Sequence, residues 1–260
     1  IQAIYNAGSA GKCTVSNPPP PACTTPATGL VSWWRAEGTG ADSRGGNHGT
    51  MAGNATFGPG QVEQGFLFDG AGDLVIVGAA SNLQLQDFAI ETWIRRTSTA
   101  QVSYGSYGNG VIFGYGEGGY GLYLDPNGVP ALSKIGISET KPAASITDTN
   151  FHHLAVTKSG STVIFYIDGV AYAAPAYDPG FTFSTVAAIG ARGDNLDNSF
   201  LGVIDEVSVY NRALSASEIQ SIYNAGSAGK CPPAPPALDI GLRAYDGSAI
   251  IKIAAEPGAP

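Results

Sequence analysis

The stretch LGVIDEVSVYNRALSASEI, Leu201 to Ile219, decides the fold. Its first half, Gly202 to Tyr210, is rich in β-branched and apolar residues and predicts a strand. Its second half opens the one helix the sequence supports. Ser215 stands as N-cap, Glu218 completes a capping box, and Gly226 sits at the end. Working backwards, Phe151 to Lys158 (FHHLAVTK) and Thr162 to Asp168 (TVIFYID) flank the turn Ser159-Gly160 as a hairpin, and Asp168-Gly169 turns again. Phe88 to Arg95 (FAIETWIR) alternates apolar and polar residues, as a half-buried strand does. Leu30 to Arg35, Gly65 to Asp69, Asp73 to Val77, Val111 to Gly114, Gly119 to Leu124 and Val186 to Gly190 read as further strands. A dozen short strands with turns between them predict an all-β fold: a two-sheet antiparallel jelly-roll sandwich with one short C-terminal helix.

Composition narrows the class. Of 260 residues, 43% are hydrophobic, enough for a substantial core, while charged residues at 13% are about half the usual share. The 36 glycines and 17 prolines suit many turns. Net charge is -8 and no Lys/Arg cluster occurs, so neither nucleic acid nor an anionic membrane finds a basic face. No apolar run reaches the ~18 residues of a membrane helix. The chain opens on Ile1, which reads as a processed or excised piece. Few charges, many small polar residues and cysteines confined to linkers point to an extracellular protein, secreted or at the cell surface.

A repeat organises the rest. Ile1 to Cys13 (IQAIYNAGSAGKC) and Ile219 to Cys231 (IQSIYNAGSAGKC) differ only at Ala3 against Ser221. The expected layout is the tail of a preceding repeat at 1–13, a Pro-rich linker at 14–28, one domain at 29–230, a second Pro-rich linker at 231–236, and at 237–260 the start of a further β segment. In that last segment LDIGLRAYDG and SAIIKIAA read as two strands around Asp246-Gly247. The three cysteines allow two pairings. A Cys23–Cys231 clasp would close each full repeat and leave Cys13 to its own missing domain. A local Cys13–Cys23 loop would orphan Cys231. No Cys-x-x-Cys or His-x-x-x-His spacing suggests a metal.

LVSWWRAEG, ADSRGGNHGTM, GFLFDGAGD, FAIETWIRR, FHHLAVTK, TVIFYIDG and LGVIDEVSVYNRALSASEI together resemble the bacterial laminin-G-like domains of the concanavalin-A-like lectin/glucanase superfamily. The resemblance spans nearly all of 29–226, and the strand–NRALS–helix run is its most specific part. It implies a jelly roll that recurs in secreted or surface proteins, binds glycans or proteins, and in many members carries calcium.

A structural calcium site is the first expectation. Asp42 lies in ADSRGGNHG beside Asn47, with Glu37 just before it. A bent loop of this kind can give a carboxylate and several carbonyls. In similar jelly rolls the first and last strands pair, which implies Asp205 as the second carboxylate. The plainer reading makes Asp42 an Asx-turn and Asp205 a strand contact. The second expectation is ligand binding at the Gly/Tyr-rich loop. There Tyr104, Tyr107, Tyr115, Tyr120 and Asn109 could stack on and bond a glycan or glycoprotein, with Tyr123 nearby. The plainer reading packs those rings as cross-strand pairs. Arg192-Gly193-Asp194 matches an adhesive tripeptide, but turn formation explains it as well. His152 and His153 are adjacent in a strand, so one should be buried and the other exposed; Trp33, Trp34 and Trp93 read as packing.

Catalysis is not expected. Glucanases of the superfamily carry carboxylates at Glu-x-Asp-x-x-Glu spacing on one strand, and no such string occurs. Asp205 and Glu206 are neighbours that should diverge. Two functions follow: a carbohydrate-binding repeat of an adhesive protein, or a structural repeat that meets only its neighbouring repeats.

Overall fold

A computed structural model describes residues 22–233 and, beyond them, the strands Asp239–Tyr245 and Ser248–Ala254. The first fifteen strands follow in order as β1 (Leu30–Trp34), β2 (Thr50–Ala52), β3 (Thr56–Pro59), β4 (Gln64–Asp69), β5 (Leu74–Gly78), β6 (Phe88–Arg96), β7 (Gly110–Gly114), β8 (Tyr120–Leu124), β9 (Pro130–Lys134), β10 (Ser138–Thr140), β11 (Phe151–Ser159), β12 (Thr162–Ile167), β13 (Val170–Ala173), β14 (Ala187–Ile189) and β15 (Leu201–Tyr210). Helix α1 (Ala216–Ala225) comes next.

Two antiparallel sheets face each other. One has eight strands in the order β13-β12-β11-β6-β15-β4-β3, with β1 also pairing β15. The other has seven, in the order β10-β9-β8-β7-β14-β5-β2. Phe66, Phe68, Phe88, Ile90 and Ile204 from the first sheet meet Val75, Phe113, Tyr120, Leu122 and Ile189 from the second in one core. This is the expected sandwich.

Sequence order and space diverge most at β15. It lies between β6 and β4 while the preceding strand β14 belongs to the other sheet, and every one of its ten residues is buried. The core covers one face. On the other, Tyr210 packs with Leu214, Ile219 and Ile222 of the α1 segment and with Ala89 and Ala155. Alternation therefore vanishes from β15, because both faces are covered. The pairing slips between Asp205 and Ser208, where Glu206 takes a left-handed φ of +58°. That bulge sends neighbouring carboxylates to separate partners.

The local signals hold. Ser215 Oγ accepts from Glu218 N–H while the Glu218 carboxylate accepts from Ser215 N–H, so the capping box is formed. Asp168 and Gly169 turn with φ of +52° and +77°. Cys23 is bonded to Cys231, with Cα atoms 4.9 Å apart, as the clasp pairing requires. Beside it Thr24 bridges Lys230, so chain entry and exit lie together. Strands β16 (Asp239–Tyr245) and β17 (Ser248–Ala254) pair antiparallel as the expected hairpin. The expected turn Asp246-Gly247, the tail at 1–13 and the first part of the 14–28 linker lie outside the described residues.

Candidate functional site

Val111 on β7, Tyr123 on β8 and Ala131 on β9 form an apolar cluster separate from the core, while their neighbours Ile112, Leu122 and Leu132 point into the core. This is the period-two alternation of a strand. The outward face of the seven-stranded sheet is thus a floor, and over it lies a cavity of about 430 Å³. Tyr107, Asn109, Ser133, Glu139 and Arg192 are among its walls. Tyr107 is 72% exposed, so its ring offers an open face. Asn198 also lines the cavity, and its Oδ1 is buried without a partner. Next to it a smaller cavity of about 250 Å³ contains Tyr104, and Asn198 lines both.

The expected Tyr cluster is therefore divided. Tyr104, Tyr107 and Asn109 stand at open cavities. Tyr115 and Tyr120 do not: both are fully buried in the core, ring against ring at 5.3 Å, and Tyr120 donates its hydroxyl to Leu83 O. Their glycan role is corrected. Tyr120 shares the inward face of β8 with Leu122, and Tyr115 follows β7 beneath Phe183. Tyr123 faces the cavity and donates its hydroxyl to Glu139.

The expected calcium residues divide too. Asp42 is 5% exposed, and backbone N–H groups occupy its carboxylate. Oδ1 accepts from Trp33, Arg44 and Gly45, and Oδ2 from Asn47. It is the Asx-turn of the plainer reading. Asn47 donates its amide to Ser32 Oγ and Asn82 Oδ1, and its carbonyl accepts from Trp34 Nε1. Both Asp42 oxygens are taken by backbone N–H groups, so Asp42 is corrected as a metal ligand, while Asn47 is held through its amide N–H groups and its backbone carbonyl. Glu37 and Asp205 behave otherwise. Both hold the β3–β4 turn: Asp205 Oδ2 accepts from Gln61 and Val62 N–H, and Glu37 Oε2 accepts from Gln64 N–H. Glu37 Oε1 and Asp205 Oδ1 are buried with no partner. Burial pushes Glu37 up to about 7, with Glu63 adding repulsion. Burial likewise pushes Asp205 up to about 8, with Glu206 and Glu37 adding theirs. A Cβ on Gly60 would stand 2.6 Å from Asp205 Oδ2, so only glycine fits there. Among the described residues no group of three His, Cys, Asp or Glu converges as a metal cluster. The two buried, unpartnered carboxylate oxygens are the kind of hard donor that calcium takes.

β1 pairs antiparallel with β15, and β15 runs into the capped helix. A family model described as Laminin_G_3, concanavalin A-like lectin/glucanases superfamily, matches residues 69–220. The chain belongs to this family. No curated protein matches it. Its sandwich is similar in fold to several solved structures. Domain 4 of the extracellular arabinanase AbnA from Geobacillus stearothermophilus, in complex with arabinotriose, is 18% identical with a TM-score of 0.59, over 74% of this chain and 96% of that one. The Trypanosoma rangeli sialidase with 2,3-difluorosialic acid is 19% identical with a TM-score of 0.59, over 78% of this chain and 34% of that one. The binding domain of botulinum neurotoxin DC with rat synaptotagmin II is 13% identical with a TM-score of 0.58, over 82% and 54%. The chain thus spans about a third of the sialidases' length. At these identities the likeness establishes the fold.

On the other sheet this Laminin_G_3 domain buries a charged network. Lys230 Nζ lies 3.0 Å from both Glu91 Oε1 and Glu206 Oε2. Trp33 Nε1 donates to Glu206 Oε2, and His153 Nε2 is 3.3 Å from Glu91 Oε2. Burial alone would raise Glu91, but the Lys230 charge together with the hydrogen bonds from His153 and Lys230 outweighs it and holds the carboxyl at about 2. Trp33 and Trp34 are both buried, so neither lies on an open face. His153 is buried as well, whereas His152 sits partly exposed between Asp168 (2.7 Å) and Asp148 (3.0 Å). Arg192 forks onto Asp194 at 3.0 and 2.7 Å, which ties the adhesive tripeptide's two charges to each other. Lys230, Glu91 and Asn198 were not singled out from sequence. A lysine beside a linker cysteine was their one signal.

Proposed function

We propose that this domain is a non-catalytic, extracellular carbohydrate-binding module in which calcium holds the β3–β4 turn. The observation that carries the reading is the cavity over β7–β9, where the open ring of Tyr107 stands beside Asn109 and Asn198. An exposed aromatic face with adjacent amides suits a sugar ring, apolar on its face and polar at its edge. The arabinotriose in the AbnA domain supports the same ligand class. Calcium would be held by Glu37 and Asp205, whose unpartnered oxygens fit it, and would supply the positive charge those buried carboxylates lack. Glu206 and Glu91 are committed to Trp33, Tyr210 and Lys230, which supports the absence of catalysis. The disulfide supports an oxidising, extracellular setting.

A second reading, a structural repeat that meets only neighbouring repeats, is favoured by one observation. The clasp and the Thr24–Lys230 bridge set both linkers side by side, a fixed junction between successive modules. A glycan array, run with calcium and with chelator, decides. Binding to a defined sugar class that is lost in Tyr107→Ala supports the module; no binding in either condition supports the spacer.

A further inference from the structure

Taking the cavity over β7–β9 as the glycan site proposed above, we infer that its ligand is a neutral, hydroxyl-rich oligosaccharide spanning both open cavities, and that Asn198 determines this specificity. The charged groups of the wall already have polar partners within the domain. Arg192 is forked onto Asp194. Glu139 takes the Tyr123 hydroxyl and lies 2.8 Å from Lys141, which also reaches Asp125 at 3.3 Å. Lys134 turns its Nζ to the carbonyls of Gly180 (2.7 Å) and Pro179 (3.3 Å). A carboxylated, sulfated or sialylated sugar would find Arg192 and Lys141 already paired with carboxylates and Lys134 held by carbonyls, and would approach a chain of net charge -8.

One neutral acceptor in the wall has no partner within the domain. Asn198 is only 5% exposed and its Oδ1 has no partner, although its backbone is fully bonded: its N–H donates to Asp197 Oδ1 and its carbonyl accepts from Val111 N–H. A buried, unpartnered amide oxygen costs stability and calls for a hydrogen-bond donor. A sugar hydroxyl set against Oδ1 can donate this bond, whereas an ionised carboxylate or sulfate group in the same place cannot. The residue holds a left-handed φ of +59°, which asparagine tolerates better than most side chains. Asn198 also lies in the wall between the Tyr107 and Tyr104 cavities, whose rings are 72% and 60% exposed. Two open rings on either side of one amide suit a ligand of more than one sugar.

The test is titration calorimetry of the disulfide-intact chain against neutral, uronate, sulfated and sialylated oligosaccharides, at low and high sodium chloride. The expected binders are neutral, with a Kd that moves less than about twofold with salt because no charge pair is made. Asn198→Gly keeps the left-handed backbone and should raise Kd about tenfold, with Tm within about 3 °C of the parent. Preference for acidic sugars, or affinity that falls steeply with salt, overturns the neutral class and leaves the carbohydrate reading standing. An unchanged Kd in Asn198→Gly overturns the role of Asn198. No binding to any sugar overturns the carbohydrate reading and this inference with it.

Discussion

His152 shows how much a single partly buried side chain can carry. The Asp168 hydrogen bond is the main cause that raises it to about 9, with Asp148 adding to it. The folded state therefore holds a proton that the unfolded chain, near 6.5, releases. The stabilisation is complete below pH 6.5 and is lost as pH rises through about 9. After discounting for solvent, it should be about 1 kcal/mol. His152→Asn should flatten the fall in thermal stability between about pH 7 and 9.5, read by circular dichroism. Lys230 is the stronger case. Lys230→Met leaves Glu91 and Glu206 buried without their cation and should cost about 3–5 kcal/mol in urea unfolding. A cost below 1 kcal/mol would show that the Trp33, Tyr210 and His153 hydrogen bonds hold the carboxylates by themselves.

At the scale of elements, α1 and its cap were legible. The spacing of Ser215, Glu218, Ile219 and Ile222 specifies a capped helix with one apolar face, and that face meets Tyr210 and Leu214. Ser215→Ala should cost about 1 kcal/mol of unfolding free energy, because an orphan N–H loses its acceptor. The hairpin β11–β12 was legible for a similar reason: a local turn sets its register. The strands β7 and β8 were legible too, but not which way the tyrosines of β8 face. Both strands are buried throughout, so Tyr120 and Tyr123 look alike in sequence while facing opposite ways. Asp42 was legible only in its plainer form. Its Asx-turn is local, whereas the test for calcium depended on where its oxygens finally pointed.

At the scale of the whole molecule, the clasp and the β3–β4 turn tie the ends of the domain to its centre. Cys23 and Cys231 are separated by 208 residues, and closing so long a loop stabilises mainly by restricting the unfolded chain. Cys23→Ser with Cys231→Ser should therefore cost about 2–5 kcal/mol, measured by denaturant unfolding under non-reducing conditions. Calcium at the proposed site would stabilise by mass action. Chelation should lower Tm, adding calcium back should raise it with concentration, and Glu37→Gln should abolish that dependence. A Tm indifferent to chelator would remove calcium from the proposal.

The sequence by itself determined the all-β class, the capped helix and the local hairpins and, through its repeat, narrowed the cysteines to two pairings, between which the structure chose Cys23–Cys231. These rest on interactions among residues near in the chain, or on the near-identity of two segments. The tertiary structure alone decided which carboxylates meet and which tyrosines stay open. Glu37 and Asp205 are brought together by the turn between β3 and β4, and Lys230 is brought to Glu91 by a disulfide from the far end of the domain. Such meetings depend on strand order and on a single bulge at Glu206, and no period along the chain encodes them.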